Sequence, residues 1–156
     1  MTDQLRRLPQ SGDPHAPHRV LALDVGAKRI GLAVSDPLGL TAQGLETLQR
    51  TNKRGDFEQL RSVVQQYGVR EIVVGYPLHM SGQPGAQSLK VADFAEELRR
   101  NLGLPVHLWD ERLTSAQANR LLRETEMSIR RRGQVVDKLA AVLILQSFMD
   151  HRSAKP

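Results

Sequence analysis

Acids stand at three places in this chain where a carboxylate has a chemical reason to be. Asp24 lies inside Val20-Leu21-Ala22-Leu23-Asp24-Val25, an almost unbroken apolar run that a glycine turn ends at once. Such a run predicts a strand buried on both faces, hence central in a sheet. An ionised carboxylate there is costly unless a cation or several hydrogen bonds compensate it. Asp110 and Glu111 close a second run, Pro105-Val106-His107-Leu108-Trp109, and Asp137 precedes a third, Leu139 to Leu145. Three carboxylates around one point cannot all stay ionised without a cation. Oxygen ligands suit hard divalent ions, so Mg2+ or Mn2+ is the chemical match. Two such ions about 4 Å apart can activate a water and stabilise the leaving oxygen of a phosphodiester. Successive strand residues face opposite sides, so just one of Asp110 and Glu111 can face Asp24, and spacing does not choose between them. Plainer roles exist for each. Asp24 can cap the turn amides of Gly26 and Ala27, Asp110 and Glu111 can be surface acids, and Asp137 can favour a helix first turn.

Basic residues accompany the acids. Arg130, Arg131 and Arg132, with Arg123, Arg120 and Lys138, form a cationic patch suited to tracking phosphates, although a charge run is usually a solvated face. Lys28, Arg29 and Arg112 sit beside the acids and join the candidate substrate contacts. The loop Tyr76 to Gly82 precedes a helix start, where phosphate oxygens bind well, and its His79 is a candidate for assisting catalysis. Ser35 and Ser81 have no evident base partner for nucleophilic chemistry. Gly26-x-x-x-x-Gly31 is followed by Leu32-Ala33 rather than Lys-Ser/Thr, which excludes a P-loop.

The elements that must position these groups follow from periodicity and punctuation. Strands are predicted to Val25, from Ile30 to Ser35, from Leu40 to Leu48, over Glu71–Gly75 and over Pro105–Trp109. Lys53 to Tyr67 has helical spacing and stops at Gly68, and Ala86 to Leu102 stops at Gly103. Leu89, Ala92, Phe94, Ala95, Leu98 and Leu102 are its predicted inward face. Thr114-Ser115-Ala116-Gln117 fits a capping box for a helix to about Arg123. Glu126 to Gly133 reads as a mobile polar connection, and Val135 to Met149 as the last helix. The class is therefore α/β: a mixed five-stranded sheet, three antiparallel strands followed by parallel additions, flanked by helices. A site is expected at the C-terminal strand ends. Residues 1–18 are predicted to be a disordered leader with solvated His15 and His18, 19–150 one domain, and 151–156 a flexible tail.

Composition narrows the partners. The chain has 156 residues, a formal net charge of +5 and no cysteine. Disulfides, thiol catalysis and cysteine-ligated zinc are excluded. The basic balance favours a polyanion such as nucleic acid. No apolar run is long enough to span a bilayer and the N-terminus lacks a secretory h-region, so the expected compartment is the cytoplasm.

Four blocks together carry a family resemblance. Leu23-Asp24-Val25-Gly26-Ala27-Lys28-Arg29-Ile30-Gly31-Leu32-Ala33-Val34-Ser35-Asp36 resembles the opening motif of the YqgF/RuvX family of RNase H-like proteins. Val74 to Gly82 resembles its central loop, and Asp110-Glu111-Arg112-Leu113-Thr114-Ser115 and Val136 to Gln146 its last two blocks. The resemblance spans about Arg19 to Asp150 in the family's order. It implies an RNase H-like fold and a metal-dependent nuclease with Asp24, Glu111 and Asp137 as catalytic and metal-binding residues, Glu111 rather than Asp110. Members are described as nucleases maturing the 5′ end of pre-16S ribosomal RNA and as Holliday junction resolvases. The first reading is preferred here and the second is the alternative; the chain would be a monomer or a homodimer, the latter needed for paired cuts. Many members carry asparagine where this chain has His79 and a smaller residue at Lys138, which bears on substrate preference. The Asp24-x-Gly26 hairpin also resembles the phosphate-binding hairpin of actin–hexokinase-type ATPases. A non-catalytic nucleic-acid or nucleotide binder is thus a third reading, disfavoured by the single domain copy.

Overall fold

A computed structural model describes residues 17–77, 81–110 and 129–153, and of 129–137 it describes the backbone alone. The apolar run around Leu21 forms β1 (Arg19–Val25), and the next run forms β2 (Arg29–Ser35). They pair antiparallel across the expected turn, with Asp24 opposite Gly31. The third strand, predicted as one piece, is two: β3 (Ala42–Gly44) and β4 (Leu48–Gln49), both antiparallel to β2. The ladder is interrupted where Leu45 turns its side chain into the core while its N–H still reaches the Leu32 carbonyl at 2.9 Å.

Two crossovers add the parallel half. Helix α1 (Lys53–Tyr67) leads to β5 (Val69–Tyr76), which pairs parallel to β1. Helix α2 (Ala86–Leu102) leads to β6 (Val106–Asp110), parallel to β5. The sheet order is β3-β2-β1-β5-β6 with β4 also on β2, so β1 is central as its composition requires. The Asn52 side chain caps α1 by accepting the Gly55 N–H at 2.8 Å. Gly68 and Gly103 end α1 and α2 at φ 65° and 67°, conformations that favour glycine.

The last helix differs from its prediction. Helix α3 spans Ile129–Ser153, so residues 129–133, expected in a mobile connection, are helical. Arginine, glutamine and lysine are good helix formers, and one interior glycine costs about 1 kcal/mol, too little to stop a long helix. Leu89 is also corrected: it is 64% exposed, and Val91 takes the inward position instead.

The sheet separates two cores. Leu21, Leu23, Ile72 and Val74 pack with Phe57 and Leu60 of α1 and Val91, Phe94 and Leu98 of α2. Val20, Ala22, Ala33 and Val73 pack on Ala141, Ile144, Leu145 and Phe148 of α3. Helix α3 crosses its face from β3, where the Lys138 stem passes Gly44, to β5, where Arg152 meets Glu71. Arg152 grips Glu71 with both guanidinium nitrogens, at 2.7 and 2.6 Å, while His18 and His107 donate at 2.8 and 2.6 Å. His18, predicted to be solvated, is thereby held to β5: a buried carboxylate close to the chain's start is a stronger partner than water.

Candidate functional site

Asp24 occupies the end of β1 that faces away from Glu71. Along β1, Val20 and Ala22 face α3, so the same alternation puts Asp24 on the α3 side. It is half-buried. Its cross-strand neighbour on β2 is Gly31. One step beyond the Leu23–Val74 pair, β5 places Gly75 level with it. Neither neighbouring strand therefore puts a side chain over the carboxylate, which leaves room for ions or a substrate phosphate. Among the described residues no hydrogen bond or ion pair engages the Asp24 carboxylate. The capping role is overturned, because the Gly26 N–H goes to the Arg29 carbonyl at 2.9 Å.

Arg50 holds the turn behind Asp24. Its guanidinium donates to the Gly26 carbonyl at 2.7 Å and to the Asp56 carboxylate at 3.1 Å, and its backbone N–H reaches Lys28 at 2.9 Å. Asp56 also accepts the Thr51 N–H at 3.0 Å. The hairpin tip is thus tied to the start of α1. Nothing in the local sequence marks Arg50 for this; from just after β4 it joins the β1–β2 turn to α1. Gly26 must stay a glycine, since an added Cβ would lie 2.9 Å from the Arg29 carbonyl oxygen. Gly26→Ala is expected to cost about 1–3 kcal/mol in thermal unfolding. Gly44→Ala would bring a Cβ to 2.8 Å from both Cγ and Cε of Lys138, so the lysine stem must move, and the expected cost is about 1 kcal/mol or more.

The second acid is narrowed by register. His107 stacks on Phe148 of α3, and Trp109 meets Phe148 edge-on and donates to Ser147 at 3.1 Å. Val106 packs on the α1–α2 core. Asp110 shares Val106's side, so it faces away from Asp24. Glu111, with Arg112, Arg123 and His79, lies outside the described residues. Asp137, Arg130, Arg131 and Arg132 lie in α3, with their side chains outside the description. Among the described residues no cluster of three or more acids or histidines is arranged to hold a metal ion. Lys28 is exposed at the hairpin tip, Arg29 is half-buried and engaged at the start of β2, and Lys138 is exposed beside Gly44.

Ser88, which sequence reasoning missed, anchors the central loop. Its hydroxyl is fully buried, donates to the Pro77 carbonyl and accepts the Gly85 N–H at 3.1 Å. It clips together the two ends of the loop between β5 and α2. Ser88→Ala would leave both backbone groups short of a partner, an expected loss of about 1–3 kcal/mol in urea unfolding. Only the buried serine one turn into α2 could have hinted at this.

Comparison with known proteins identifies the fold and the family. A protein of Koribacter versatilis named "Putative pre-16S rRNA nuclease" is 60% identical over 141 residues, covering 90% of this chain and 92% of that relative. One of Moorella thermoacetica with the same name is 52% identical over 132 residues, covering 85% and 94%. Thermus thermophilus RuvC, solved with a Holliday junction substrate, superposes with a TM-score of 0.55 at 16% identity, covering 88% of this chain and 97% of that one. Fowlpox virus resolvase gives 0.53 at 12%, covering 86% and 98%. These two likenesses establish the RNase H-like fold. The sequence profile described as "RuvX: Holliday junction resolvase" matches residues 18–151, and the chain belongs to the RuvX family.

Proposed function

We propose that this protein is a metal-dependent endonuclease that hydrolyses phosphodiester bonds in precursor 16S ribosomal RNA during maturation of its 5′ end. The observation that carries the reading is the half-buried Asp24 carboxylate, without a described partner, at a glycine-flanked strand end. A carboxylate in that position fits a hard cation better than it fits isolation. Glu111 and Asp137 complete the proposed ligand set. Strand alternation supports Glu111, because Asp110 faces the other way. Helical periodicity supports Asp137, since position 137 falls one turn before Ala141 on the stripe that continues to Ile144 and Phe148. Bound Mg2+ or Mn2+, two ions in the full site, would supply Lewis acidity and a water of lowered pKa. The protein's own part is to fix the three carboxylates and to hold the RNA. Lys28, Arg29, His79, Arg112, Arg123, Arg130, Arg131, Arg132 and Lys138 are the proposed substrate contacts. Among the described residues no helix is long and apolar enough to cross a membrane, and the cytoplasm is the proposed setting.

RNA is preferred because relatives at 46–60% identity share the ribosomal RNA nuclease name. A junction-resolving activity is the second reading, favoured by the description of the matching family profile. It would require two sites related by a dyad. The two are separated by offering labelled precursor RNA and a four-way DNA junction to the wild type with Mg2+. Cleavage of the RNA alone is expected; paired symmetric nicks in the junction, with the RNA intact, would replace this proposal by the second.

A further inference from the structure

On the opposite face of the hairpin from Asp24 lies a cleft of about 800 Å³, walled by the β1–β2 turn, the start of α1 and the first half of α2. Its volume suits a nucleotide-sized ligand. Four cations line it, Lys28, Arg50, Lys53 and Lys90, against three acids, Asp56, Asp93 and Glu97. Most of these charges neutralise one another. Arg50 pairs with the buried Asp56 at 3.1 Å, and Lys53 with Glu97 at 3.0 Å. Lys28 and Lys90 are exposed and form no ion pair among the described residues, with Asp93 the remaining acid. Gln49 and Gln87 add exposed amide groups to the rim, and Val25 and Phe94 give it an apolar floor.

The cleft adjoins the proposed cleavage site through the backbone itself. Asp24 and Val25 are consecutive, and their side chains leave β1 on opposite faces. A strand passing over the hairpin tip at Gly26–Lys28 therefore meets the carboxylate on one side and the cleft on the other. We propose that this cleft binds the sugar–phosphate backbone of the RNA flanking the scissile bond, with Lys90 and Lys28 as its phosphate contacts. This rests on the nuclease reading above. Lysines on flexible stems suit such a role, since they can follow a backbone without reading its bases.

Binding of a fluorescein-labelled RNA spanning the 16S 5′ junction, followed by anisotropy with Ca2+ in place of Mg2+ over a range of KCl, tests the assignment. Lys90→Ala is expected to weaken binding about fivefold or more and to reduce the slope of log K against log salt by about 0.7–0.9. Lys28→Ala should do the same, and Lys90→Arg should keep wild-type binding. Arg100→Ala removes an equal charge from α2 outside the cleft and should match wild type. Wild-type binding by Lys90→Ala, or an equal loss from Arg100→Ala, would overturn the cleft while leaving the nuclease reading intact. A Lys90 effect on a four-way DNA junction with none on RNA would overturn the RNA assignment. Failure of the wild type both to bind and to cut RNA would remove the nuclease reading itself, and the cleft proposal with it.

Discussion

Asp24→Asn is expected to lower metal-dependent RNA cleavage on the order of a thousandfold, equivalent to about 4 kcal/mol of transition-state stabilisation. Asparagine keeps the shape of the side chain but not the negative charge that a hard cation requires. The fold should survive the change. The Asp24 carboxylate makes no hydrogen bond or ion pair among the described residues, so nothing described is broken. Removing a half-buried charge should leave the melting temperature equal or slightly higher. Gel assays of cleavage and a thermal melt on the same preparation check both parts. Full activity in Asp24→Asn would sink the proposed site, and a folded state lost along with activity would make Asp24 a structural residue instead.

Glu71→Ala should instead damage stability, by about 3 kcal/mol, because it strands Arg152, His18 and His107 around a vacated acid. Burial alone would push the Glu71 carboxyl upward. The Arg152 hydrogen bonds, the His18 hydrogen bond, the Arg152 charge and the His107 hydrogen bond outweigh it and hold the group at about 2, against 4.5 for a free glutamate. A depressed value in the folded state means that the stabilisation is complete above about pH 4.5. It drains away as pH falls toward about 2, by about 3 kcal/mol in total. Urea unfolding from neutral to acid pH should show this limb in the wild type and a much flatter one in Glu71→Gln. Equal acid limbs in the two proteins would contradict the cluster's role. Glu71 lies beside Val20, at the far end of β1 from Asp24, so cleavage by folded Glu71→Gln in the cold should match wild type.

How much of this was legible in the residues depends on the range of the interaction involved. The central place of β1 and the spans of α1 and α2 follow from local signals: an apolar run, helical spacing, and glycines that alone accept left-handed φ comfortably. The break between β3 and β4 was not legible, because it comes from Leu45 docking in a core built by distant elements. Extension of α3 back to Ile129 is hidden by a polar composition that resembles a connection, although arginine and glutamine favour helix. The Glu71 cluster joins residues from before β1, from β5, from β6 and from the end of α3, and no spacing announces such a set. At the candidate site the sequence placed Asp24 in a strand as an unusual acid, while spacing alone left Asp110 and Glu111 equivalent and the family resemblance pointed to Glu111. Strand register then turned Asp110 away. The glycines flanking Asp24, Gly31 and Gly75, are visible in the sequence, yet their meaning appears only when β2 and β5 are placed on either side of β1.

The most direct test of the proposed centre is anomalous diffraction from crystals of the wild-type protein soaked in Mn2+. A peak bonded to an Asp24 carboxylate oxygen at about 2.2 Å, shared with Glu111 and Asp137, is the expected result. A Mn2+ peak elsewhere, or none at Asp24 under conditions in which the same protein cleaves RNA, would contradict the account.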